Sequence, residues 1–280
     1  MRIASALRTL TLAAIAAGLL SACGQDDQGQ ASTQTDESNK TLRVGTMAGP
    51  EEEVMEVAKQ VAKDQYGLDV EIVAFNDYIS PNAALDEGSL DANAYQHKPY
   101  LDEMMKSRDY NFAIAGHTFV FPMSAYSLQY SRIDDIPKGA KIAIPNDPSN
   151  EGRALIMLND AGLITLKDRT DLSATLNDIT DNPQDIQFAE LDAAQLPRSL
   201  EDVDLAVINS NFATGDQLPD GTQRLLTEGA DSPYVNLIVV REGDTQRQDI
   251  QTFVKAFHTQ AVIDAAKAHF DNVVPGWTTE

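Results

Sequence analysis

A single cysteine, Cys23, stands among the 280 residues, so no intrachain disulfide can form. Basic residues are scarce: 21 Lys and Arg face 43 Asp and Glu, for a formal net charge of −22. A surface of that sign repels nucleic acid and anionic lipid, so no nucleic-acid partner is expected. The four histidines, His97, His117, His258 and His269, show neither an HExxH pair nor tight Cys/His spacing. No metal centre is expected from them. Also missing are a G-x-S-x-G elbow, a P-loop and a G-x-G-x-x-G turn. Carboxylates are plentiful, but their abundance in an acidic chain does not define a catalytic pair. Neither an enzyme nor a bound cofactor is expected.

What is present begins with "MRIASALRTLTLAAIAAGLLSAC". Arg2 and Arg8 precede an apolar run from Leu10 to Leu20, too short for an ordinary membrane span and suited to the core of a secretion signal. The run ends in Leu20-Ser21-Ala22-Cys23, which resembles a bacterial lipobox. In such sequences the signal is cut before the cysteine, whose sulfur carries diacylglycerol. Residues 1–22 are therefore expected to be a lipoprotein signal peptide and Cys23 the lipidation site. Residues 23–40 hold almost no apolar side chain and read as a flexible tether to the membrane.

From Thr41 onward strands and helices alternate. "LRVGTMA", "PEEEVMEVAKQVAKDQYG" and "LDVEIVAF" read as strand, helix and strand, a βαβ unit with a right-handed crossover. The "EEE" run reads as a solvated first turn matched to the helix dipole. "NFAIAGHTFVFPMSAYS" is β-rich, interrupted at Gly116 and Pro122, and the stretch from Thr245 to Phe270 reads as one helix carrying His258 and His269. The pattern is α/β with two sheets. Segments near His117–Tyr126 and Tyr234–Val240 are placed to cross between two lobes, with a cleft between them. The expected division is residues 41–122 and 240–280 in lobe 1, and residues 123–239 with the crossover segments in lobe 2.

Polar groups gather where open α/β sheets bind ligands, outside the carboxyl ends of strands. Tyr78 follows one such strand, and Tyr95 and His97 end another. "PNDPSNEGR" offers helix N-terminal amides with Arg153 in the first turn. That is the electrostatically wrong end for a cation. The arrangement fits a carboxylate receptor, and it equally fits a salt bridge to a nearby acid. Asn209 ends "DLAVIN" and Asn236 lies inside the apolar "SPYVNLIVV", where an unpaired amide is costly.

The segments "FNDYISPNAAL", "DANAYQHKPYLD", "IPNDPSNEGRAL", "ELDAAQLPRSL", "LAVIN" and "SPYVNLIVVRE" occur in this order between about Leu42 and Phe270. Through them the chain resembles the methionine-binding lipoproteins of bacterial methionine-uptake ABC transporters, the NlpA-type substrate-binding proteins. The resemblance implies a two-lobe periplasmic-binding-protein-like fold that closes on L-methionine and delivers it to an ABC permease. It implies that Arg153 pairs with the ligand carboxylate and that Asn209 and Asn236 hold its amino and carboxylate groups. Tyr78, Tyr95, His97 and Phe119 would line the side-chain pocket. The competing reading is an envelope interaction lipoprotein whose cleft is vestigial or takes another amino acid or a dipeptide.

Overall fold

The computed structural model describes residues 41–278, apart from 215–216 and 230–231. The expected signal peptide, Cys23 and the tether lie outside the described residues. Chain order begins with β1 (Leu42–Met47), α1 (Pro50–Tyr66), β2 (Val70–Phe75), α2 (Ser80–Asp86), β3 (Ala92–His97), α3 (Lys98–Arg108) and β4 (Phe112–Val120). It continues with β5 (Ser124–Ser127), β6 (Lys141–Pro145), α4 (Pro148–Asp160), β7 (Thr165–Leu166), β8 (Ile179–Asp181), β9 (Gln187–Leu191), α5 (Leu196–Ser199) and β10 (Leu205–Ile208). It ends with β11 (Gln223–Thr227), β12 (Val235–Arg241), α6 (Gln248–Phe257), α7 (Gln260–His269) and β13 (Val274–Pro275).

Two main sheets result, in the orders β13-β4-β12-β3-β1-β2 and β11-β5-β10-β6-β9. β1 runs parallel to β2 and β3, which completes the βαβ unit read from the sequence. β6 runs parallel to β9 and β10. The chain passes from the first sheet to the second at Phe121–Met123, where Pro122 cannot extend the ladder. It returns between β11 and β12. Gly116 does not interrupt β4, which runs through it with irregular register against β12. All of β12 pairs in the first sheet, so the expected division at residues 239/240 falls inside a strand.

Each sheet has its own apolar core. Val44, Val54, Ala58, Phe253 and Phe257 pack on one. Ile142, Ile144, Leu155, Leu158 and Val207 pack on the other. A third cluster joins residues of both halves, with Met47, Tyr95 and Tyr100 from one side meeting Ala143, Ile208 and Phe212 from the other.

Helix ends follow their local chemistry. Gly49, at φ 89°, precedes Pro50, and Gly67 closes α1 in the left-handed region. Asp147 caps α4 by accepting from the Asn150 amide at 3.0 Å. The expected single C-terminal helix is two helices. It breaks at His258 (φ −80°, ψ 46°) and the extended Thr259, where the His258 Nε2 lies 2.7 Å from the His117 carbonyl. The two histidines therefore share no helix face.

Gly152 lies where α4 meets the loop before β8. A Cβ there would approach the Leu172 carbonyl oxygen to 2.6 Å, and backbone cannot swing aside as a side chain can. Gly152→Ala should therefore lower stability by about 1–3 kcal/mol, the usual cost of overpacking. Thermal unfolding of the two proteins checks this, and an unchanged midpoint would show that the loop yields freely.

Candidate functional site

A cavity with about 360 Å³ of empty space, its open mouth included, lies between the two halves of the described structure. It sits beyond the carboxyl ends of parallel strands of both sheets. Glu51 follows β1, Tyr78 follows β2 and His97 ends β3, while Asn150 follows β6 and Asn209 follows β10.

The aromatic wall is built around Tyr78. Its carbonyl accepts from the hydroxyls of Tyr95 (2.7 Å) and Tyr100 (2.9 Å). Its own hydroxyl donates to Asn211 Oδ1 at 2.7 Å, across to the other half of the molecule. The Tyr78 ring lies 5.1 Å from Phe212 and 5.8 Å from Tyr100, centroid to centroid. Burial raises the Tyr78 phenol well above its usual range, so it stays a neutral donor.

Asn150 is the second organising residue. Its Nδ2 donates to both carboxylate oxygens of Asp147, at 3.0 Å each. Its Oδ1 accepts from Asn209 Nδ2 at 2.8 Å and lies 3.2 Å from His97 Nε2. His97 Nδ1 accepts from the Tyr100 amide, so Nε2 carries the proton. Burial, then the charge of Arg153, lowers the His97 pKa to about 3, and the ring is neutral at physiological pH. Burial likewise raises the Asp147 pKa, opposed by its bonds from Asn150.

Arg153 is buried in the second turn of α4, because the helix begins at Pro148. The sequence pattern places it in the first turn; the earlier start at Pro148 moves it to the second. Its Nε lies 3.1 Å from both oxygens of Glu228, and its Nη2 donates to Glu228 and, at 2.9 Å, to the Phe121 carbonyl. Glu228 is the carboxylate partner that the salt-bridge reading of this arginine expects, and the guanidinium also lines the cavity. Glu228 also accepts from the Met123 amide at 3.1 Å and from Ser232 Oγ at 3.1 Å. The pair thus ties α4 to both passages between the sheets. The Tyr234 ring covers the guanidinium, with its centroid 4.4 Å from Cζ.

Asn236 reaches the cavity from β12, and its Nδ2 donates to the Tyr95 carbonyl at 2.9 Å. Of the residues singled out in the sequence, Tyr78, Tyr95, His97, Arg153, Asn209 and Asn236 come together here. Phe119 does not. It is buried in the first sheet's core against Phe257 and Trp277, at 5.6 and 5.0 Å. Phe121, past the end of β4, lines the cavity instead.

Sequence reasoning also missed Glu51, Gln96, Asn150 and Asn211. Glu51 contradicts the expected solvated turn, because it is 5% exposed and its Oε2 is buried without a hydrogen-bond partner among the described residues. Asn209 Oδ1 and Asn211 Nδ2 are unpaired in the same sense. Buried polar atoms left unpaired are costly. A carboxyl oxygen, an amide oxygen and an amide N–H beside a guanidinium are the set that a zwitterion would satisfy.

The family model described as NlpA lipoprotein matches residues 42–277. The probable D-methionine-binding lipoprotein MetQ of Vibrio cholerae is 47% identical over 270 residues, covering 96% of this chain and 97% of that protein. The crystal structure of the methionine binding protein MetQ matches with a TM-score of 0.81 at 45% identity, covering 85% of this chain and 99% of that one. A Burkholderia cenocepacia nutrient binding protein bound to methionine matches with a TM-score of 0.80 at 46% identity, covering 85% of this chain and all of that one.

Proposed function

The chain belongs to the NlpA lipoprotein family, and from that premise we propose that it captures methionine in the central cavity and hands it to an ABC permease. Binding and release, rather than turnover, is the activity. Cys23 carries the lipid that holds the protein at the cell envelope, and residues 23–40 serve as its tether. The two halves act as lobes that close over the ligand.

The observation that carries this reading is the pairing of two features in one cavity. Arg153 and the unpaired amide and carboxyl atoms supply partners for the charged end of an amino acid. The Tyr78, Tyr95 and Tyr100 rings supply an apolar, polarisable wall for its side chain. A thioether gains about 0.3–1.5 kcal/mol from such rings. The unpaired buried atoms also count against a vestigial cleft, since without a ligand they only cost stability.

Norleucine keeps the shape of methionine and replaces its sulfur with a methylene. Methionine should bind roughly two- to ten-fold more tightly from the sulfur contact alone, at about 1.4 kcal/mol per decade. Calorimetric titration of L-methionine, D-methionine and L-norleucine checks this and sets the stereochemical preference. Absence of binding by either methionine enantiomer would overturn the proposed function, and equal affinities for methionine and norleucine would show that the wall reads only size.

A further inference from the structure

Glu51 is a carboxyl group that the fold buries at the edge of the cavity and leaves half unpaired. It opens α1, where Glu52 and Glu53 are the ordinary dipole-matched acids of a first turn. The Met47 amide serves it from β1, but its Oε2 has no partner among the described residues. No cation within the described structure compensates it. The ionisable groups lining the cavity with it are Tyr78 from the loop after β2, Tyr95 and His97 from β3, Tyr100 from α3 and Arg153 from α4. The phenols and His97 are neutral, and Arg153 is committed to Glu228. Asp147, nearby through Tyr78, is held by Asn150. On the opposite side of α1, His269 of α7 reaches Glu53 at 3.3 Å, and Lys255 of α6 is solvent-exposed. Burial, opposed only by the Met47 bond, raises the Glu51 pKa to about 8.

We propose that Glu51, together with Asn209 Oδ1, receives the ammonium group of the bound amino acid, and that Glu51 gives up its proton to solvent as the ligand seats. The inference rests on the amino-acid reading of the cavity. In the empty cavity the carboxyl is protonated, because a lone buried carboxylate is too costly. An arriving ammonium makes the carboxylate the favoured form, so Glu51–COOH and R–NH₃⁺ become Glu51–COO⁻···⁺H₃N–R with one proton released. The cavity therefore selects ligands with a free amine. It also ties uptake to pH: affinity rises with pH below about 8 and levels off above it.

The same linkage fixes the sign for the empty protein. A carboxyl whose folded pKa lies above its unfolded value stabilises the fold at low pH and costs stability as pH rises toward about 8. Glu51→Gln keeps the shape, removes that cost and folds without a buried acid. Its melting temperature should gain on that of the parent as pH rises from 5 to 8, since His97 and Asp147 titrate alike in both proteins.

The test is calorimetric titration of the parent and Glu51→Gln at pH 7 in buffers of different ionisation enthalpy. The ligands are methionine and 4-(methylthio)butanoate, which lacks the amine. The parent should release close to one proton per methionine, and its affinity should rise nearly ten-fold from pH 6 to pH 7. Glu51→Gln should release none and bind methionine roughly ten- to hundred-fold more weakly, while both proteins bind the amine-free acid alike and without proton release. Methionine binding without proton release, or equal affinity in the variant, overturns this inference and leaves the proposed function standing. Failure of the parent to bind methionine at any pH overturns both.

Discussion

Replacing Arg153 with alanine should weaken methionine binding by roughly thirty-fold to several thousand-fold and should also lower the melting temperature of the ligand-free protein. Two partners lose the same guanidinium. Removing one member of a buried, hydrogen-bonded charge pair across a binding interface costs about 2–5 kcal/mol, which sets the affinity range. Within the protein, Glu228 loses its cation, and an uncompensated buried charge costs about 3–5 kcal/mol. Glu228 is 16% exposed and keeps the Met123 amide and Ser232 hydroxyl, so the low end applies. A loss of about 3 kcal/mol corresponds to a drop of about 6–12 °C for a chain of this size. Arg153→Lys separates the roles. An ammonium can still face Glu228, but it cannot also present a planar fork to Phe121 and a ligand. Stability should partly return while affinity does not. Differential scanning fluorimetry and calorimetry together decide this, and normal methionine affinity in a destabilised Arg153→Ala protein would reduce the arginine to a structural pair.

Asn150→Ala should be the most damaging of the neutral substitutions at the site. One amide serves Asp147, Asn209 and His97; Asn150, Asn209 and His97 are buried and line the cavity, while Asp147 is partly exposed. Truncation strands the Asn209 Nδ2 and the His97 Nε2 proton and removes two donors from Asp147. Each stranded group costs about 1–3 kcal/mol unless water reaches it. A cavity that admits water limits the sum, so a net loss of about 3 kcal/mol is expected. Affinity should fall with it, because the Asn209 amide would no longer be held toward the cavity. Asn150→Asp tests the account from the other side. A carboxylate facing Asp147 repels it, so this variant should be destabilised increasingly as pH rises. Chemical denaturation at pH 5 and pH 8 measures both variants, and a stability change below about 1 kcal/mol for Asn150→Ala would show that the network is not coupled.

Much of the site was legible because it lies where strand ends and helix caps can be read locally. Tyr78, His97 and Asn209 each stand at or just past the end of a readable strand, and "PNDPSN" marks the start of α4 with its Asp147 cap. Arg153 stood out as a cation near a helix start. Its partner did not, since Glu228 lies 75 residues away and nothing periodic links the two. Glu51 was illegible for a different reason. Glu51, Glu52 and Glu53 look alike in one dimension, and only the packing of α1 over β1 turns the first of them inward. Phe119 and Phe121 show the same limit at the end of a strand. Where β4 gives way to Pro122, side-chain alternation stops predicting which ring enters the core. The division of the C-terminal helix at His258–Thr259 coincides with a His258 contact to His117, a residue 141 positions earlier that no local pattern could indicate.

The central claim is that this cavity holds one methionine. Native mass spectrometry of gently purified protein, before and after addition of methionine, tests it most directly. The predicted result is a mass increment equal to one methionine, retained by the parent and lost in Arg153→Ala. A parent protein that appears only as the bare polypeptide even with excess methionine, or that carries a different small molecule which methionine does not displace, would contradict it.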